Sequence, residues 1–206
     1  MARSKSSGSW LRRHVTDPYV KLAQKEGYRS RSAYKLLELD EKDRLFRPGQ
    51  RVMDLGSAPG GWSQVAARAV GAKGKVLATD ILPMDPIPNV DFIQGDFTTE
   101  AVVDRIRDWL GGGKFDLVIS DIAPNLSGID SADQARSIHF LELALDTVRL
   151  ALKPGATFVA KMFQGQGSDE YMKELRKCFH KVSIRKPKAS RPESREVYIV
   201  AKDFRG

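Results

Sequence analysis

Residues 51–63 read RVMDLGSAPGGWS, a short apolar strand pattern that runs into glycines, a proline, a tryptophan and a serine. A backbone stripped this bare lets a ligand approach closely. It follows the first strand of a sheet and opens a helix (WSQVAARAV), which is where open α/β sheets bind nucleotides. Two common nucleotide motifs do not fit. A P-loop needs Lys after its last glycine, and Trp62 follows Gly61. A dinucleotide fingerprint needs a glycine two after Gly56, and Ala58 occupies that position.

Outward from this stretch the chain alternates. Segments 51–56, 75–81, 90–97, 115–122 and 156–163 are short and apolar, and helical patterns separate most of them. Near-continuous apolar strands joined by helices predict a mostly parallel sheet covered on both faces. Segments 181–187 and 195–204 follow one another with no helix between, and predict an antiparallel pair at the end of the sheet. Upstream, DPYVKLAQKEG has Asp17 as cap, Pro18 in the first turn and Gly27 as stop. SRSAYKLLELDEKD predicts a second helix capped by Ser30 or Ser32, with Ala33, Leu36, Leu37 and Leu39 on one face. Residues 1–9 read as a disordered basic tail, and 10–206 as one domain that includes the helices of 17–43.

The 206 residues are 41% hydrophobic and 29% charged, enough apolar material for one ordinary core. No apolar run reaches the roughly 20 residues that span a bilayer. The basic, Ser-rich N-terminus lacks the apolar stretch of a secretory signal, though a transit peptide shares its composition. One cysteine, Cys178, forbids an internal disulfide, and with three scattered histidines it does not suit a structural zinc site. A net charge of +8 suits a polyanionic partner such as a nucleic acid. The cations gather at Arg12, Arg13, Arg29 and Arg31, and again in RKPKASRPESR (185–195), and both groups are expected to line a phosphate track.

Acidic residues narrow the ligand. Asp80 ends the second strand, at about the distance from the glycine loop where a carboxylate meets ribose hydroxyls. Asp96, in QGDF, is placed to accept from an adenine amino group, and Asp54 to orient the loop. Strand-end carboxylates, with no Lys or Arg in the loop, suit a cationic nucleoside better than a polyphosphate. S-adenosylmethionine carries a ribose, an adenine and a sulfonium, and no phosphate. The fourth strand leads into SDIAPN, which lacks the aromatic of the [DN]PP[YF] tetrad used to stack a flipped base, so methylation of a base nitrogen loses support. Lys161 lies among apolar neighbours in FVAKMF, a costly position unless the ammonium is paired.

DLGSAPGGWSQ, LPMDPI, QGDF, SDIAPNLSG, KMFQG and SREVYIVA, in that order, resemble the FtsJ-type RNA 2′-O-ribose methyltransferases over essentially the whole chain from Trp10. The resemblance implies a Rossmann-like, class I S-adenosylmethionine-dependent fold with a terminal antiparallel strand. It implies a catalytic tetrad of Lys35, Asp121, Lys161 and Glu196, cofactor contacts at Gly60, Trp62, Asp80, Asp96 and Asp121, and no metal. Within the family it is nearest the branch that methylates a uridine ribose of large-subunit (23S) ribosomal RNA. That implies a cytoplasmic protein, expected to be a monomer, acting on ribosomal RNA or the assembled large subunit. Lys161 is expected to hold the attacking hydroxyl and take or steer its proton, with Lys35 as a second cation and Asp121 and Glu196 orienting the lysines. Three rivals stay open: the same reaction on another RNA such as a tRNA, a non-catalytic ribosome-assembly factor, and a NAD(P)-dependent oxidoreductase, which Ala58 disfavours.

Overall fold

A computed structural model describes residues 16–123 and 130–206. Helix α1 spans Pro18–Glu26 and starts as its sequence predicts. Asp17 Oδ1 accepts from the Tyr19 amide at 2.9 Å, Pro18 occupies the first position, and Gly27 closes the helix in the left-handed region at φ 72°. Helix α2, Ala33–Asp43, has Ser32 at its N-cap without a side-chain cap bond. The Ser32 hydroxyl instead meets that of Ser30 at 2.6 Å. Asp40 Oδ1 accepts from the amides of Leu45 and Phe46 and turns the chain toward the sheet.

The alternating part follows as β1 (Arg51–Leu55), α3 (Gly61–Val70), β2 (Lys75–Asp80), β3 (Val90–Gln94), α4 (Glu100–Leu110), β4 (Phe115–Ser120), α5 (Asp130–Ala151), β5 (Leu152–Phe163), α6 (Ser168–Cys178), β6 (Phe179–Arg185) and β7 (Glu196–Phe204). The seven strands lie in the order β3-β2-β1-β4-β5-β7-β6. Neighbours from β3 to β5 are parallel, and β7 is antiparallel to both β5 and β6. The chain's last strand therefore lies one place in from the sheet edge, with β6 outside it. Strand β5 starts at Leu152, ahead of the predicted 156, because Leu152 pairs with Phe115 across a register shift before Leu117 meets Thr157. The Lys153-Pro154-Gly155 stretch hides that start in the sequence.

Strand alternation splits the core between the two faces. Met53, Leu55, Leu77 and Val118 pack with α4, α5 and α6. Val52, Leu117, Ile119, Val159 and Tyr198 pack with α2 and α3. Each such side chain, taken fully out of water, contributes about 1.5–3 kcal/mol before entropy is set against it. Helix α2 belongs to this core through Ala33, Leu36 and Leu39, so the upstream helices are built onto the sheet. No helix among the described residues is long and apolar enough to cross a membrane. Strand order reverses between β1 and β4, so the crevice at their carboxyl ends is where this architecture binds ligands.

Candidate active site

The glycine loop lies in that crevice. The amides of Gly56 and Ser57 donate to the Thr79 carbonyl at 2.9 and 3.1 Å, which ties the loop to β2. Asp80 adds a second tie: Oδ2 accepts from the Ala58 amide at 2.9 Å and Oδ1 from the Leu82 amide at 2.8 Å. The glycines answer to protein atoms more than the sequence alone suggests. A Cβ on Gly56, whose φ is +69°, would stand 2.1 Å from Ile122 Cγ1, and one on Gly61 2.3 Å from Ser30 Oγ. Gly60 caps α3 at φ 110°, and its Cα faces Ile87, Met84 and Arg29.

Ser30, Ser32, Asp54, Gly56, Ser57, Trp62 and Asp121 are among the residues lining a cleft beside the loop. Asp54, 1% exposed, accepts from the Ser63 hydroxyl on Oδ2 at 2.6 Å. Its Oδ1 and the Ser57 hydroxyl are buried without a hydrogen-bond partner. Burial pushes the Asp54 carboxyl up to about 7; Asp121 and Asp80 add to this, and Ser63 offsets part of it. Orphaned buried oxygens cost free energy unless a ligand meets them. A carboxyl and a hydroxyl with no cation paired to them among the described residues fit the ammonium of an amino-acid moiety.

The four tetrad residues come together at the carboxyl end of the sheet, from four separate elements. Lys35 Nζ, from α2, lies 2.6 Å from Glu196 Oε1, at the start of β7. Lys161 Nζ, from β5, lies 2.6 Å from the Asp121 carbonyl and 3.2 Å from its Oδ1. Lys35, Lys161 and Glu196 are each only 9% exposed and Asp121 is partly buried, so removing one partner leaves the other charge poorly solvated. Glu196 also accepts from the Ser190 hydroxyl at 2.8 Å. Burial pushes the Glu196 carboxyl up, but Lys35, Ser190 and Lys161 outweigh it and hold the carboxyl below its ordinary range.

Other expected contacts are placed less centrally. Asp96 is exposed, two residues beyond β3, and its Oδ1 accepts from the amide and hydroxyl of Thr98 in the turn before α4. Neither Asp80 nor Asp96 lines the cleft. Trp62 does, but its ring packs 5.6 Å from that of Tyr198 and its Nε1 donates to the Ser32 carbonyl at 2.9 Å. Several cations of the expected track also have partners within the protein. The Arg29 guanidinium donates to the carbonyls of Pro59, Asp85 and Pro86 at 3.2, 2.6 and 2.8 Å. Arg31 pairs with Asp17 and donates to the Ala189 carbonyl. Arg185 holds Asp43 through two 2.8 Å bonds, and Lys186 donates to the carbonyls of Ser194 and Glu196. Charge counting cannot tell such clamps from phosphate ligands; Arg12 and Arg13 lie outside the described residues.

Sequence reading missed Ser190 and, above all, Tyr198. The signal was present: in SREVYIV, Glu196 and Tyr198 are two apart on a strand and so share a face.

Residues 28–204 match the FtsJ-like methyltransferase family. The chain belongs to that family. The FtsJ-like match includes α2, and so all four tetrad positions, and begins after α1. The chain is 65% identical over 206 residues to a Stutzerimonas stutzeri protein named ribosomal RNA large subunit methyltransferase E, covering 100% of both. A Marinobacter nauticus protein of the same name is 62% identical over 205 residues, covering 100% of this chain and 99% of its own. Among solved structures, a ribosomal RNA methyltransferase from Plasmodium falciparum superposes with a TM-score of 0.80 at 33% identity, over 87% of this chain and 100% of that one. As an FtsJ-like methyltransferase the chain is an enzyme of methyl transfer.

Proposed function

We propose that the protein transfers a methyl group from S-adenosylmethionine to the ribose 2′-hydroxyl of a uridine in large-subunit (23S) ribosomal RNA, with the assembled subunit as substrate. The names and full-length identity of the relatives support the RNA class. The observation that carries the chemistry is the convergence of two Lys–carboxylate pairs, one buried and one partly buried, at the sheet's carboxyl end, beside a cleft with orphaned oxygens.

S-adenosylmethionine supplies the activated methyl on a sulfonium. Asp54 and Ser57 would receive its ammonium, with Trp62 and Asp121 lining the cleft, while Gly60, Asp80 and Asp96, which lie outside that cleft, would meet the rest of the nucleoside, Asp80 its ribose and Asp96 its adenine. Each Asp80 oxygen already accepts one amide and keeps a lone pair for a hydroxyl. A ribose hydroxyl is a weak nucleophile, so it must be aimed and must lose its proton as the new bond forms. Lys161 has three donor positions, two of them engaged by Asp121, and the third holds the incoming oxygen and steers its proton. Asp121 fixes Lys161, Glu196 fixes Lys35, and Lys35 holds the neighbouring ribose or phosphate. Lys188, exposed on the loop that carries Ser190, is placed to meet RNA phosphate. We take the protein to be cytoplasmic, metal-independent and monomeric.

The test uses purified protein, radiolabelled S-adenosylmethionine, and free ribosomal RNA, large subunits and tRNA that lack the modification. Ribose label on subunits or their RNA, abolished in Lys161→Ala while cofactor affinity stays within about threefold, is expected. Ribose label on tRNA alone would move the substrate assignment. Cofactor binding without label on any RNA would indicate the assembly-factor role.

A further inference from the structure

Tyr198 lies on β7 directly across from Lys161 in the antiparallel register, so both side chains share one face of the sheet. It is 0% exposed, and its hydroxyl reaches both carboxylates of the tetrad. It donates to Asp121 Oδ1 at 2.6 Å and lies 3.4 Å from Glu196 Oε1. Asp121 Oδ1 is the same oxygen that meets Lys161, and Glu196 Oε1 the same one that meets Lys35. The ring carries Lys35 Nζ at 5.6 Å from its centroid, with Trp62 packed against it at 5.6 Å. Burial, reinforced by Asp121 and Glu196, pushes the phenol well above its ordinary range, so it remains a neutral donor.

A buried tyrosine must place its hydroxyl somewhere. What goes beyond packing here is the choice of acceptor: a short, charge-assisted bond to the oxygen that Lys161 also uses. One proton cannot serve both carboxylates at once. The 2.6 Å contact assigns it to Asp121, and Glu196 is left to Lys35 and Ser190.

We propose that Tyr198 is a positioning residue for methyl transfer, locking the Asp121 carboxylate so that Lys161 Nζ is held fixed on the attacking hydroxyl, and tying the two Lys–carboxylate pairs into one rigid unit. This rests on the tetrad reading above. Without the hydroxyl, Asp121 can rotate and Lys161 loses its fixed direction, while the ring still supports Lys35 and Trp62.

The experiment is single-turnover methylation of ribosomal RNA by Tyr198→Phe beside the parent enzyme, with cofactor affinity measured in parallel. The rate falls about 10–100-fold, the loss of one charge-assisted hydrogen bond, while cofactor affinity and RNA KM stay within about twofold. An unchanged rate, or a cofactor affinity that falls in step with the rate, overturns the proposal. A 3-fluorotyrosine at position 198 gives a second reading that does not depend on how the Phe variant folds. It keeps the shape but is a stronger donor, drawing charge out of Oδ1, so the rate changes by about threefold or more at constant affinity. An unchanged rate there also overturns the proposal. If the parent itself leaves no ribose label on RNA, the proposed function has failed, not the role of Tyr198.

Discussion

Replacing Asp54 by Asn tests the electrostatics of the cleft most directly. Asp54 is 1% exposed, has one oxygen on Ser63 and one without a partner, and burial pushes its carboxyl up to about 7 from 3.8. The folded chain thus binds this proton more tightly than the unfolded one. Its contribution to stability is fully present below pH 3.8 and is lost as pH rises toward 7. Roughly three decades of proton affinity at about 1.4 kcal/mol each set a ceiling near 4 kcal/mol, and relaxation and water entry lower it to about 2–4 kcal/mol. Asn keeps an acceptor for Ser63 and removes the charge. Urea unfolding followed by tryptophan fluorescence at pH 5, 6, 7 and 8 gives the difference, in which the other titrating groups cancel. The Asn variant is expected to be more stable than the parent at pH 8 by about 2–4 kcal/mol, with the gap cut to roughly two-fifths of that at pH 5 and closing only toward pH 3.8. Equal pH slopes for the two proteins would refute the reasoning. On the cofactor reading, the same variant also binds S-adenosylmethionine more weakly at pH 8.

Arg29→Ala removes three carbonyl bonds that hold the glycine loop and the segment after β2 together. It should weaken cofactor binding by about 10-fold or more, measured calorimetrically, with RNA affinity in a filter assay nearly unchanged. A larger loss of RNA affinity would return Arg29 to the cationic track. Arg185→Ala strands the buried Asp43 carboxylate, whose side chain is only 7% exposed. A cost of about 2–4 kcal/mol follows, seen in calorimetry as a melting midpoint lower by about 5–10 °C. A midpoint within a degree of the parent would show that the pair contributes nothing.

Much of the architecture was legible without coordinates, because local chemistry determines it. The caps Asp17 and Gly27, the apolar strands and the turn at 56–61 are set by short-range sterics and hydrogen bonding, and alternation of strand and helix leaves few ways to bury both faces of a sheet. The four expected tetrad residues came from resemblance, and the fold brings them together as two Lys–carboxylate pairs. Hidden from the sequence was everything that depends on distant neighbours. The order β5-β7-β6 brings Tyr198 opposite Lys161 across 37 residues of chain, and no periodicity announces that pairing. Arg29, Arg31 and Arg185 look like free positive charge in one dimension, yet each meets a carbonyl or carboxylate supplied from elsewhere in the fold. The orphaned oxygen of Asp54 becomes visible only when α3 closes over β1. Residue type determines what a side chain can bond, whereas the tertiary structure alone decides which partners arrive within 3 Å and whether water is kept out.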